Sequence, residues 1–503
     1  MYKTLSDKAG RDKDYPARQH RINMLGRVLD GSLYDGLQYP FSQERQDGTQ
    51  EYIPIFERRP SARYRLCATV VEDSVSLLFG DARFPGAVCE DEETREGLSD
   101  IIADCGLAGV MIDAAMKGSV GSVCLWLRIL KGRVFVKPLV TEYLTPAFDP
   151  QEPDKLIKVV ERYKVPGREL RANGYQIADD DVAANFWFER RWDDAAEWWL
   201  MPIKVADAAN GKKAATDIGR TTQHGLGFCP MVWIKNLPGG DDIDGASTMV
   251  REAIDTQIEI DYLLSQNARG LRYASDPTLL IKQSPNSADG TPLVRSASQA
   301  IMVDTDGDAR LLEINGTASE AVLNYVRGLR ELALEGMHGN RANADKLSAA
   351  QSGRAMELMN QSLIWLSDKL RLSYGENGVL PLLRMIVSSS AKIGLVTQGK
   401  AIGALNGAEA IGLRWPKWFP PTYADSLTQA QTGAILIGDG LLSRETVVAN
   451  LAPDYDIQDV DAELARIQAD QDAAAQAAAD QAAAEAAIAL PGASKPAAAE
   501  SDD

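Results

Sequence analysis

The stretch "NLPGGDDIDGASTMVREAIDTQIEIDYLLSQNARGLRYASDPTLLI", residues 236–281, decides how the rest of the chain is read. It leaves a Pro/Gly turn, crosses a group of acids, and enters a run with the period of a helix. Val250, Ile254, Ile258 and Tyr262 recur four apart, and Ala253, Ile260 and Leu264 widen that stripe. This spacing predicts one amphipathic helix over 247–271, which at 1.5 Å per residue would reach about 37 Å. The acids of "DDIDG" (Asp241 to Gly245) could hold a cation. A polar turn that caps the helix explains them as well and is the simpler reading.

Toward the C-terminus the pattern changes twice. Residues 274–315 read as short strands and turns, with "AIMV" and "ARLLEI" flanking "DTDGD" as a hairpin. The spacing of Asp304, Asp306 and Asp308 is that of a calcium loop, but Gly307 is misplaced and no Glu closes it, so a turn is expected. "TASE" (Thr317 to Glu320) is a capping box that opens a second helix, 317–337. Ala318, Val322, Tyr325, Val326, Leu329, Leu332 and Gly336 are assigned to one face, and Arg327, Glu331 and Glu335 to an ion ladder on another. "HGNRANADKLSAAQSGRAM", 338–356, then supplies a small polar connection. A second capping box, "SAAQ" (Ser348 to Gln351), starts a third helix that is expected to run to Tyr374 with Ala355, Met359, Leu363, Leu366 and Leu370 as its stripe. Another helix is expected from Val379 to Ile393.

On the N-terminal side, residues 1–130 read as mostly helical, with "LSDIIADCGLAGVMIDAAMKG" as one amphipathic helix. From Val120 the period becomes that of strands. "SVCLWLRIL", "RVFVKPLV", "KLIKVVERYKV", "ANFWFERRW" and "EWWLMPIKV" are expected to form one antiparallel meander. Trp187, Trp192, Trp198 and Trp199 could form a ligand platform, although packing of alternate strand residues is the simpler account. At the far end, "ADSLTQAQTGAILIGDGLLSRETVVANL" reads as helix, glycine turn, helix. The alanine-rich run that follows is helical by propensity but poor in large apolar residues. "PGASKPAAAESDD" is expected to be disordered.

The totals exclude several classes. A net charge of −18 argues against a surface that grips phosphate backbones everywhere, though an acidic wall would let nucleic acid slide past. Five scattered cysteines without a CxxC pair suit a reducing cytoplasm and buried free thiols. No signal peptide and no membrane span is read. The histidines, His20, His224 and His338, sit in no HExxH motif. There is no GxSxG, and "GSVGSV" lacks the following Lys-Ser/Thr of a phosphate loop. No catalytic, cofactor-binding or metal-ligating residue is therefore assigned, and an enzyme is not expected.

The order of segments carries more than any motif. Both residues 236–281 and "LSAAQSGRAMELM" resemble recurring segments of the portal proteins of tailed double-stranded DNA bacteriophages. The first looks like the Pro/Gly-rich lead into a stem helix, and the second like the Ser-Gly-x-Ala start of the long wing helix. The resemblance spans about residues 60–395 and implies an α+β, mainly helical portal fold assembled as a ring of about twelve subunits. The wing would be 1–240 with 352–424, the stem helices 241–272 and 316–337, and the clip 273–315. A tunnel loop would occupy 338–351, a helical crown 425–490 and a disordered tail 491–503. The loop would point His338, Asn340, Arg341, Asn343, Asp345 and Lys346 toward DNA. Arg251, Glu252, Asp255, Glu259, Arg327 and Glu331 are the candidates for the channel wall.

Implied partners are other copies of the chain, the double-stranded DNA passing through, the terminase large subunit, the major capsid and scaffolding proteins, and head–tail adaptor or tail proteins. No cofactor and no membrane is implied. The place of action would be the portal vertex of the virion, after assembly in the host cytoplasm. The alternative is an acidic scaffold or capsid-assembly protein without a channel; a hydrolase comes third.

Overall fold

The computed structural model describes residues 1–80, 83–275, 278–282, 308–312, 317–339, 357–358, 360–419, 423–452, 455, 457 and 460–488. The architecture is α+β. The chain divides into two compact units, one made of Met1–Asn343 with Met359–Trp418 and the other of Ala344–Leu358 with Phe419–Asp503.

The region that the sequence suggests is one meander forms two sheets. Ser122–Leu130 is the middle strand of a three-stranded sheet, between Arg133–Val140 and Met231–Lys235. Leu144–Phe148, Leu156–Pro166, Asn185–Trp192, Ala196–Trp199 and Thr222–Gln223 follow one another across a second sheet, and Ile203–Lys204 also pairs with Asn185–Trp192. Pro202 interrupts "EWWLMPIKV", because it has no N–H to give a ladder. The inner faces share a core of Cys124, Trp126, Leu144, Val159, Trp192, Met231 and Trp233.

The corner between the sheets, Thr141–Tyr143, is pinned from the N-terminal segment. Arg18 Nη1 donates to the carbonyls of Thr141 (2.8 Å) and Leu144 (2.9 Å), and its other nitrogens form a fork to Asp244 at 2.7 and 2.8 Å. Asp244 is 1% exposed and also accepts from Arg21 and from the Ser122 hydroxyl. The "DDIDG" acids are thus a turn that closes on two arginines. Burial works to raise the Asp241 carboxyl, but N–H donors of Asp244 and Ile243 and the Arg21 guanidinium outweigh it and hold it down at about 2. Among the described residues no group of His, Cys, Asp and Glu could hold a metal ion.

The four tryptophans are packing residues. Trp192 is fully buried edge-on to Trp126, and Trp187 is buried against Tyr15. The Arg190 guanidinium stacks over Trp126, Trp192 and Trp199 while it pairs with Glu161 and Glu197. Cys67, Cys124 and Cys229 are buried and Cys89 and Cys105 half-buried, all as free thiols.

Two helical expectations need correction. "LSDIIADCGLAGVMIDAAMKG" is two helices, Glu92–Asp104 and Leu107–Gly118, separated at Gly106, which takes a left-handed φ of 61°. Conversely, there is no stop at Tyr374. Gln361–Leu370 and Leu380–Ser390 are joined by a π-helical segment, Arg371–Val379. There the Tyr374 side chain is fully buried, its hydroxyl 3.0 Å from Asn236 Oδ1. Gly375 is needed because a Cβ would stand 2.6 Å from the Trp415 ring.

The second unit holds the helices Tyr423–Gly438, Arg444–Leu451 and Val460–Ile488. Its glycine turn is as expected, with Gly440 at φ 66° and Ser443 capping the next helix through Thr446 N–H. The long alanine-rich helix forms over 29 residues. The tail 491–503 lies outside the described residues.

Candidate functional site: a long helical hairpin

Between 251 and 336 the described residues form two long helices with a strand pair between them. Arg251–Ser275 leads to Thr278–Lys282, which pairs antiparallel with Asp308–Leu312, and Thr317–Gly336 returns along the first helix. The strand Asp308–Leu312 contains most of the expected "ARLLEI" run, and Asp308 itself lies opposite Lys282 in the ladder. "AIMV", Asp304 and Asp306 lie outside the described residues.

The first helix starts four residues later than its period suggests. Ser247 Oγ donates to the Ser119 carbonyl and accepts from Met249 N–H, while Thr248 N–H donates to Ser119 O. These bonds hold 247–250 as a turn against the body of the unit. From Arg251 the stripe behaves as expected: Ile254, Ile258 and Tyr262 are buried, with Ala253 and Ile260 beside them.

The same helix buries polar groups whose partners lie some 190 residues or more away. Gln257 Oε1 accepts from Cys67 N–H at 2.9 Å, satisfying a donor at the open N-terminus of the Leu66–Phe79 helix. Asp261 accepts from Tyr64 N–H at 2.5 Å and from the Tyr34 hydroxyl at 2.7 Å. Burial pushes the Asp261 carboxyl up to about 6, although these two donors and nearby Arg63 pull the other way. Ser265 Oγ accepts from Ala62 N–H. Met1 and Tyr2 reach Asp255, whose carboxylate meets the terminal ammonium at 3.1 Å and the Tyr2 N–H at 2.6 Å. The first 64 residues thus strap the helix to the body.

The second helix is the opposite case. Ala333, Leu334 and Met337 are buried and Val322, Val326 and Leu329 half-buried, so the inward line is 322, 326, 329, 333 and 337. Tyr325 is 56% and Leu332 66% exposed, and Ala318 and Gly336 are exposed too, contrary to the single face expected for them. At about 100° per residue, Ala321, Tyr325, Gly328 and Leu332 form a separate stripe beside the inward one. All four are exposed. Arg327 and Glu331 lie farther round on the polar face, where Arg327 donates to Asn324 Oδ1 at 3.1 Å.

The proposed wall residues therefore do not share one surface condition. Arg251, Glu252, Arg327 and Glu331 are exposed, Glu259 is half-buried, and Asp255 is half-buried under the N-terminus. Of the six residues expected to point from the loop toward DNA, only His338 is described. It closes the second helix in a left-handed conformation, φ 56°, and Gly339 N–H returns to Leu334 O at 2.8 Å. A Cβ on Gly339 would stand 2.7 Å from Leu334 and 2.9 Å from Val70. That close approach requires glycine at 339. Asn340, Arg341, Asn343, Asp345 and Lys346 lie outside the described residues.

No helix among the described residues is long and apolar enough to cross a membrane. No family model and no curated protein matches the sequence. Among solved structures, a chain of the virion of a native gene transfer agent particle aligns over 90% of this chain and 98% of that one, at 12% identity and a TM-score of 0.36. So loose a likeness carries no assignment of function.

Proposed function

We propose that this chain is the subunit of a portal ring, the conduit through which a tailed phage's double-stranded DNA enters and leaves its capsid. One observation carries the reading: a strapped helix and a bare one form a hairpin tipped by a strand pair, and the bare helix keeps an apolar stripe in water. Tyr325 and Leu332 expose surface that a neighbouring copy would cover. Small residues at 321 and 328 would let its backbone come close. A stripe on one flank is what a rotational ring uses, since each copy offers its flank to the next and the set closes.

In such a ring the polar face of the second helix, with Arg327 and Glu331, is turned away from the body. Residues 241–270 carry seven acids and two arginines, but Asp241, Asp244, Asp255 and Asp261 are paired or buried, so Asp242, Glu252 and Glu259 are the acids left that would keep a phosphate backbone moving rather than bound. The loop 338–351 would add Arg341 and Lys346 as rings of positive charge, with Asn340 and Asn343 as uncharged donors. The chain itself would make and break no bonds. Packaging work would come from the terminase, with capsid and scaffolding proteins around the ring and adaptor or tail proteins at the clip. Its place would be the capsid vertex.

Native mass spectrometry of the purified protein, with negative-stain images of the same sample, tests this. The expected result is a closed ring of about twelve copies with a central hole. A sample that stays monomeric is retested with scaffolding and coat protein. Dimers or open fibres under both conditions would contradict the proposal and favour a scaffold without a channel.

A further inference from the structure

A cavity of about 360 Å³ lies between one face of the second sheet and the short helix Gly167–Ala172. Its lining combines the rings of Tyr163, Tyr175, Phe188 and Trp199 with the polar side chains of Glu169 and Asn173. We propose that this cavity binds a nucleobase, guanine before the others, either as a free nucleoside or as one base of a single strand. This goes beyond the channel reading and stands without it.

The floor follows from strand register. Tyr163 stands opposite Phe188 and Arg190 opposite Trp199, and partners in a ladder share a face. Phe188 and Arg190 are two apart on one strand, so alternation puts both pairs on the same side, with Val165 two beyond Tyr163. The rings of Tyr163 and Phe188 meet at 5.1 Å and those of Phe188 and Trp199 at 5.7 Å, which makes one continuous aromatic surface. Tyr175 adds a further wall, with the Arg220 guanidinium over its ring at 4.0 Å. Arg220 also donates to the Asn173 carbonyl at 2.8 Å and so ties that wall to the end of the helix. Within the helix Leu170 is buried, while Glu169 and Asn173, four apart, share the exposed side. Asn173 N–H donates to Glu169 O at 3.0 Å, which keeps the two in step.

The lining selects a flat, neutral ring with paired donors. Neither guanidinium is a spare charge: Arg190 pairs with Glu161 and Glu197, and Arg220 lies 3.7 Å from Asp217. An anion is therefore not what the cavity selects. A cation is disfavoured as well, because these guanidiniums already lie over Trp199 and Tyr175. What stays open is ring surface and two polar groups. The Glu169 carboxylate and the Asn173 amide make no hydrogen bond or ion pair among the described residues. A carboxylate only accepts, whereas an amide both donates and accepts. Guanine presents two adjacent N–H donors to one carboxylate and a carbonyl beside them for the amide, and its faces suit an aromatic floor. The volume is that of a small-ligand site.

The test is ligand-observed saturation-transfer NMR on the full-length protein, with guanosine as the probe and adenosine and N-acetyltryptophanamide titrated in parallel. Guanosine should bind, and the other two should bind about tenfold more weakly because they lack the paired donors. Glu169→Gln, at an exposed position, should weaken guanosine binding about tenfold or more with an unchanged melting temperature. Trp199→Leu should weaken it about fivefold or more, whereas Asp154→Asn should leave it unchanged. If Trp199→Leu melts early, Glu169→Gln alone carries the expectation. A guanine-containing single-stranded oligonucleotide that displaces guanosine far better than guanosine's own affinity accounts for identifies a strand as the source, and equal or weaker displacement identifies the free nucleoside. Absence of guanosine binding, binding of adenosine or N-acetyltryptophanamide as tight as that of guanosine, or unchanged binding in Glu169→Gln would overturn the proposal.

Discussion

The two helices of the hairpin have similar periodicity but opposite fates. Arg251–Ser275 sinks its apolar stripe and three polar side chains, Gln257, Asp261 and Ser265, into contacts with residues 1–79. Thr317–Gly336 buries only a narrow line toward its partner and leaves Leu323, Tyr325 and Leu332 in water. A helix that binds to its own body needs polar side chains to satisfy the loops it covers. A helix meant for a neighbour needs only a clean apolar flank. On the proposed reading the first is a structural member and the second would be the interface.

The largest test of the strapped side is the Arg18–Asp244 fork. Asp244→Ala leaves a guanidinium that is 13% exposed without its carboxylate. We expect a loss of about 3–5 kcal/mol in urea unfolding. A loss below about 1 kcal/mol would mean that the N-terminal strap does not hold the body together.

Next, the same kind of truncation should read differently on the two helices. Ile258→Ala removes a fully buried side chain and should cost about 2–5 kcal/mol. Leu332→Ala, at 66% exposure, should cost the isolated chain less than about 0.5 kcal/mol. Equal losses would erase the distinction.

A smaller effect sharpens the strap through pH. The Asp261 carboxyl lies at about 6 when folded, above its ordinary value of 3.8, so the folded state holds the proton more tightly than the unfolded one. Its contribution is therefore favourable at low pH and is lost as pH rises from about 4 to about 6. Asp241, held at about 2, acts in the other sense: its contribution is present above the ordinary carboxylate range and is lost as pH falls through about 4 to about 2. Urea midpoints between pH 4 and 7 should fall for the natural chain relative to Asp261→Asn. Parallel curves would show that Asp261 is not the group responsible.

How much of this was legible follows from where the information sits. Both long helices were readable because a 3.6-residue period is local. The buried face of the second helix was misassigned because period alone does not say how wide a groove the partner offers. Tyr325 and Leu332 stand just outside that groove. The division of the meander into two sheets depends on Thr141 turning under Arg18, and Arg18 on Asp244, 226 residues away. A pocket beside the last turns of the first long helix joins 40–42 to 59–63 and 265–272 in the same non-local way. Gly106 could have signalled the break it makes; the π segment at 371–379 bridges a predicted stop and has no comparable sequence mark.

The most direct test of the central claim compares the native mass of the full-length protein with that of its Tyr325→Glu, Leu332→Glu variant, side by side and with the same assembly partners present. The account predicts a closed ring of about twelve copies for the natural chain, and folded monomers with an unchanged melting temperature for the variant. Rings of equal mass from both would contradict it, because the bare flank of the second helix would then not be what joins one subunit to the next.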